Sequence, residues 1–174
     1  QFDPVQNSVF HEIGDGWITY WVKLGTEYLD SSSKFPTLKK ICDIMGDSVV
    51  LLHMSVLKPG TELKTHTGVS MMVQRVHKAI YIPPFIDSEH EKEGKSGLVI
   101  DGINRYWNQN ECISWDDTLP HSSYNFTNEE RVLVFADVLR NLGDYDEHNK
   151  KFAIELSNCK YAKAVRERIN FITS

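Results

Sequence analysis

From Ser48 onward, apolar residues come in short runs separated by turn signals: Val49 to Leu57, Met71 to Ile82, Leu98 to Ile100, Ile103 to Trp107, Glu111 to Trp115 and Arg131 to Val138. Runs of this length, rich in β-branched and aromatic residues, read as strands. Six of them at near-regular spacing predict a mainly β jelly-roll or barrel over about residues 48–141, not a doubly wound sheet. Asp101-Gly102 falls between two runs, where a type I′ turn needs positive φ at both central residues. Lys58-Pro59-Gly60-Thr61 and Thr127-Asn128-Glu129-Glu130 mark further turns. Upstream, Trp17 to Val22 reads as a strand, and Phe35-Pro36-Thr37 opens a helix through Met45 that Gly46 ends. Near Asn141 the period changes: Phe152, Leu156, Cys159, Ala162, Val165 and Ile169 recur at three or four positions and form one stripe on a helix. This tail, about 142–174, is expected to pack against the barrel; the alternative is a helix offered to a partner or a second subunit.

A length of 174 residues suits one domain spanning 1–174. The net charge of −5 gives no general attraction to phosphate backbones, so nucleic acid is not an expected partner. The longest apolar run, Val49 to Leu57, falls far short of the ~20 residues that span a bilayer, so no membrane segment is expected in this chain. Cys42, Cys112 and Cys159 are widely spaced and odd in number, which fits a reducing, cytoplasmic setting better than a disulfide framework. The first residue is Gln1 and not Met, which leaves an upstream signal or anchor open. Asn125-Phe126-Thr127 is a sequon, usable only in a secretory pathway and of a kind that arises often by chance.

Two of the seven histidines stand out by context. His66 follows a β run and a Pro-Gly turn in LKPGTELKTHTG, and His121 follows another β run in ISWDDTLPHSSYN. In a jelly roll, such strand ends converge at the mouth of the barrel, and neutral imidazole is a good ligand for iron. Ordinary hydrogen-bonded histidines would look the same in sequence. Arg131 opens an apolar strand, where a buried guanidinium needs an anion. A small dicarboxylate could supply it, and so could Glu129, Glu130 or Asp137 in a plain ion pair. Alternation from Val73 to Tyr81 puts Val73, Arg75, His77, Ala79 and Tyr81 on one face, which is either the lining of a polar pocket or the solvent face.

The motifs also occur together and in order. Ser55, Lys58-Pro59-Gly60-Thr61, His66-Thr67-Gly68, Arg75-Val76-His77, Trp107, Asp116-Asp117, His121, Arg131 and Asp137-Val138, with Trp17 to Trp21 upstream, resemble the aspartyl/asparaginyl β-hydroxylase family over roughly residues 17–141. The resemblance implies a double-stranded β-helix (a cupin-like jelly roll) with flanking helices, and an Fe(II)- and 2-oxoglutarate-dependent dioxygenase that uses O2. It implies that His66 and His121 bind Fe(II) and that Arg131 and Ser55 hold the distal carboxylate of 2-oxoglutarate. Arg75, His77 and Trp21 complete that pocket. Most 2-oxoglutarate oxygenases carry an iron-binding carboxylate two residues after the first histidine, where this chain has Gly68; that departure is itself a family trait. Water then takes the third position, and Asp117 is expected to hydrogen-bond it, the alternative being a turn aspartate. The chain departs from the family after the last strand, where Leu139-Arg140-Asn141 replaces His-Pro, and in its helical tail. A stand-alone enzyme acting on a peptide or small molecule is therefore expected, probing an Asp/Asn-type residue, a free amino acid or an acyl chain. Two other functions compete with it: a halogenase with halide in the space beside His66, and a non-catalytic jelly-roll module that binds sugar or peptide.

Overall fold

The computed structural model describes residues 16–68, 70–84, 95–140 and 146–173. Ten strands form two antiparallel sheets. The chain runs β1 (Trp17–Leu24), β2 (Glu27–Tyr28), α1 (Pro36–Met45), β3 (Val49–Leu57), β4 (Thr61–His66), β5 (Val73–Tyr81), β6 (Ser96–Ile100), β7 (Ile103–Arg105), β8 (Cys112–Asp116), β9 (His121–Asn125), β10 (Arg131–Leu139), α2 (Asp146–Asn158) and α3 (Lys160–Thr173). The large sheet has the order β2-β1-β3-β10-β5-β8 and the small one β4-β9-β6-β7. Strands β3 to β10 thus alternate between the two sheets, apart from the β6–β7 hairpin that stays in the small one, which is the double-stranded β-helix, and β1 and β2 extend the large sheet at one edge.

Register decides which residues face inward. On the large sheet Trp21 pairs with His53, His53 with Phe135, and Phe135 with His77, while Ser55 pairs with Leu133 and Asp137 with Arg75. Because side chains alternate along a strand, these residues all share one face. The face is the interior: Ala79 and Leu133 of the large sheet pack with Leu98 and Ile100 of the small sheet and with Trp107 and Trp115. The outer face carries its own cluster of Val22, Cys42, Val49 and Leu52, covered by α1. The strand Val73–Tyr81 therefore lines a polar interior with Arg75 and His77, and its alternate residues face outward.

Strands β4 and β9 were not marked by hydrophobic periodicity, because their inward positions carry His66, His121, Ser123 and Asn125 besides Leu63. A strand whose inner face is polar has no apolar alternation to display. The tail is two helices and not one. Cys159 stands between them, and its sulfur accepts the N–H of Ala162 at 3.4 Å, acting as the N-cap of α3. Leu156, Ala162 and Val165 are buried with Trp21, Leu24, Val50, Leu51 and Val73, and Phe152 and Cys159 pack against them, so the tail docks on its own barrel. The side chain of Ile169 and residue Asn141 lie outside the described residues. Asn125 of the sequon is fully buried, its amide donating to the carbonyls of Leu57 and Glu129, which leaves nothing for a glycosyl transferase to reach. Asp101 and Gly102 have φ of 49° and 75°, as the type I′ hairpin requires. Among the described residues no helix is long and apolar enough to cross a membrane.

The tail closes on the barrel at Gly25, which has φ +62°. Ser157 Oγ takes the N–H of Thr26 at 2.9 Å there, and a Cβ on residue 25 would overlap that hydroxyl and press on the Ala153 carbonyl. Gly25→Ala is expected to cost about 2–4 kcal/mol, combining overpacking with left-handed strain. Thermal unfolding together with limited proteolysis of the tail checks this, and a wild-type melting temperature would show that the contact is slack.

Candidate active site

The two candidate ligands come from the small sheet. His66 ends β4 and His121 opens β9, and the two are cross-strand partners with ring centroids 4.3 Å apart. Each Nδ1 lies 2.8 Å from a backbone carbonyl two residues earlier, Lys64 for His66 and Leu119 for His121. A carbonyl only accepts, so each Nδ1 carries the proton and each Nε2 keeps its lone pair. Burial pushes both imidazoles below the usual histidine range, His121 to about 3, with the positive charge of Arg75 adding to the effect. Both are therefore neutral at pH 7, as metal ligands must be. Among the described residues no group of three or more His, Cys, Asp and Glu side chains is arranged to hold a metal, so the donors on offer are this pair. Two neutral imidazoles with a carboxylate beside them are donors that a divalent iron accepts.

That carboxylate is Asp117. It is buried, with Oδ1 3.4 Å from His121 Nε2, and is ion-paired with Nη1 of Arg75. Arg75 is in turn gripped by Asp137, whose two oxygens accept from Nε and Nη2 at 2.9 Å each. Burial raises the Asp117 carboxyl to about 7 against the opposing pull of Arg75. Its backbone is equally committed, since Gly68 N–H donates to the Asp117 carbonyl at 2.6 Å. A Cβ on residue 68 would overlap the Asp117 carboxylate. The ground that a side chain at position 68 would need is thus already taken by a carboxylate, which arrives from the strand end before His121. Asp117 is accordingly more than a turn residue.

Arg131 faces the same interior from β10 and is 2% exposed. It does not pair with Glu129, Glu130 or Asp137; among the described residues no carboxylate meets it. Its Nη1 donates to Ser123 Oγ at 2.8 Å, its guanidinium lies 4.8 Å from the Trp107 ring, and Nε has no hydrogen-bond partner there. Burial alone lowers it to about 9. Ser55 sits opposite Leu133, two residues from Arg131, and diagonal neighbours on adjacent strands are ~7–8 Å apart. Its hydroxyl accepts from Trp17 Nε1 at 2.9 Å, which leaves its proton to give. His77 lies among Trp107, Trp115 and Phe135 with neither ring nitrogen meeting a hydrogen-bond partner among the described residues, and burial holds it well below the usual range. Trp21 stands apart from Arg131: its indole donates to Thr19 Oγ1 and stacks near His53, in the wall that meets the tail. Sequence reasoning did not single out Ser123 or the aromatic wall of His53, Trp115 and Phe135; reading HSSYN as a strand would have placed Ser123 beside His121 on the inner face.

Residues 2–141 match the aspartyl/asparaginyl β-hydroxylase family. The chain belongs to that family. Helices α2 and α3 lie beyond the part that the family shares. A stretch of 88 residues, 51% of this chain, is 27% identical to the ornithine lipid ester-linked acyl 2-hydroxylase of Rhizobium tropici, and it covers only 29% of that protein. Solved structures of related shape include the cupin domain of an XRE-family transcriptional regulator from Enterobacter cloacae, 13% identical with a TM-score of 0.47, covering 72% of this chain and 99% of that one. KdgF from Halomonas is 7% identical with a TM-score of 0.45, covering 74% and 84%.

The packing at Gly68 generates one expectation. Gly68→Ala should cost about 1–3 kcal/mol and displace Asp117, because the alanine methyl and the carboxylate cannot share one place. Gly68→Asp should do no better, because its carboxylate would meet that of Asp117. Urea unfolding of the metal-free variants tests this, and a Gly68→Asp protein as stable as wild type would contradict the geometry.

Burial of the histidines generates a second. A base whose folded pKa is lowered binds fewer protons folded than unfolded, so stability falls as pH drops below 6.5. His53, His66, His77 and His121 all act in this sense, His53 and His121 down to about 3. Asp117 opposes them, because its raised pKa favours the folded state as pH falls from about 7 toward 3.8. The histidines outnumber it, so metal-free protein should lose stability steadily from pH 6.5 to 4. His53→Phe should make that slope shallower by about 1.4 kcal/mol per pH unit. An unchanged slope in urea titrations would mean that His53 is already protonated in the fold.

Proposed function

We propose that this protein is a hydroxylase, an Fe(II)- and 2-oxoglutarate-dependent dioxygenase in which His66 and His121 hold the iron and Arg131 holds the cosubstrate. The observation that carries the reading is the buried Arg131 guanidinium, which meets no carboxylate among the described residues while the neighbouring Arg75 meets two. A buried, unpaired charge is costly, and a dicarboxylate reaching in from the mouth would relieve it. When bound, the iron and its cosubstrates supply the oxidant: O2 gives one oxygen atom to the target C–H bond and one to succinate, and 2-oxoglutarate loses CO2.

The residues of the chain do the rest. The Nε2 lone pairs of His66 and His121 bind the metal, and Asp117, fixed by Arg75, hydrogen-bonds a water beside it. Arg75 is thus a positioning residue more than a direct cosubstrate contact. Arg131 and the Ser55 hydroxyl take the distal carboxylate, and His77, Trp107, Trp115 and Phe135 keep water from that end of the pocket. Trp21 supports this wall from the side of the tail. On the substrate, two relatives in chemistry agree: the β-carbon of an Asp or Asn residue and C2 of an acyl chain both adjoin a carbonyl carbon. A C–H bond next to a carbonyl, in a peptide, an amino acid or an acyl ester, is the target this reading favours.

His66→Ala and His121→Ala are expected to abolish Mn(II) binding by calorimetry and Fe(II)-dependent formation of succinate. Arg131→Lys should keep the metal and raise the KM for 2-oxoglutarate by roughly tenfold or more, since an ammonium cannot reproduce the guanidinium fork. Full turnover in either folded histidine variant would refute the metal assignment, and an unaltered KM in Arg131→Lys would refute the cosubstrate site.

A further inference from the structure

The geometry points to Ser123 as the positioning residue for Arg131: by holding Nη1 it turns the Nε edge of the guanidinium toward the distal carboxylate, which is then bound side-on. The inference rests on the function proposed above and adds to it a residue and an orientation. Arg131 leaves the large sheet and Ser123 the small one, so their 2.8 Å hydrogen bond spans the barrel. The other two acceptors of Nη1, the carbonyls of Gly97 and Tyr124, stand off at 3.4 and 3.5 Å. Ser123 Oγ donates its own proton to the Gly97 carbonyl at 3.1 Å. Its proton is therefore spent, and the hydroxyl can meet Arg131 only as an acceptor.

Both groups are buried, Ser123 at 5% exposure and Arg131 at 2%. The Trp107 ring 4.8 Å from Cζ restrains the plane of the guanidinium. A guanidinium grips a carboxylate with two parallel N–H bonds, from the two Nη atoms or from Nε and one Nη. The two N–H groups of Nη1 face three acceptors of the chain, Ser123 Oγ closest and the Gly97 and Tyr124 carbonyls behind it, so the first arrangement is disfavoured and the second, through Nε and Nη2, is open; Nε is the buried nitrogen that has no partner among the described residues. Serine at 123 thus selects which edge of Arg131 is presented. Without it, the guanidinium rotates toward the longer carbonyl bonds and the fork no longer faces one direction.

The test is calorimetric titration of 2-oxoglutarate into Mn(II)-loaded protein under nitrogen, comparing wild type, Ser123→Ala, Ser123→Thr and Arg131→Lys. Mn(II) affinity and melting temperature are measured alongside. Ser123→Ala is expected to weaken 2-oxoglutarate binding roughly tenfold, the loss of one hydrogen bond to a charged group, with Mn(II) affinity unchanged and with Ser123→Thr restoring it. If the alanine protein does not fold, Ser123→Cys, of similar volume but a poor acceptor, reads the same quantity. Wild-type affinity in the alanine or cysteine protein while Arg131→Lys binds weakly would overturn the role of Ser123 and leave the cosubstrate site standing. A parallel fall in Mn(II) affinity and melting temperature would also overturn it, since that pattern marks general loosening of the barrel. Absence of 2-oxoglutarate binding to the wild type would instead remove the proposed function itself.

Discussion

Inside the barrel, one guanidinium stands between two carboxylates, and the rest of the mouth is arranged around it. Arg75 of β5 takes both oxygens of Asp137 on β10 and an oxygen of Asp117 in the turn before β9, so it links the two sheets where they open. Removing one partner from such a buried group costs on the order of 3–5 kcal/mol, because the charges left behind have no water to replace it. The ion group therefore fixes where Asp117 lies. Asp117 in turn lies beside His121 and against Gly68, where a side chain would collide with it. Glycine at 68 is then a steric consequence of the Asp117 carboxylate occupying the ground a side chain would need.

The two interior arginines show how much the surroundings decide. Both sit on inward positions of adjacent strands, and both are nearly inaccessible to solvent. Arg75 is neutralised from within the chain and stacks on Phe135. Arg131 has a serine, two carbonyls and an indole, all of which orient it and none of which cancels its charge. The first arrangement holds a site together and the second is suited to receiving an anion. A chain that needed only stability would gain from a carboxylate beside Arg131 as well.

The sequence made the scaffold legible because most strands alternate or run apolar, and because Asp101-Gly102 and Pro36 carry their own backbone signals. What it hid was the site. Strands β4 and β9 carry polar residues inward, so the very positions that make them useful erase the period by which a strand is recognised. The partner of Asp137 was hidden too. Being six residues along the same strand, Asp137 reads as a local partner for Arg131, whereas register across β10 and β5 sets it directly opposite Arg75. In the tail, Cys159 continues the apolar stripe, and only its sulfur bond to Ala162 shows that one helix has ended and another begun. Family motifs supplied Ser55, His66, Arg75, His77, His121 and Arg131 together, but spacing carries no information on which of two arginines is already paired.

The central claim is that two neutral imidazoles and one unpaired guanidinium form a single site for iron and a 2-oxo dicarboxylate. It is tested most directly by the visible charge-transfer absorption that appears when 2-oxoglutarate chelates protein-bound Fe(II) without oxygen. The account predicts that the band develops in the wild type on adding both Fe(II) and 2-oxoglutarate, and that it vanishes in His121→Ala. A wild-type protein that stays colourless at saturating Fe(II) and 2-oxoglutarate would contradict it.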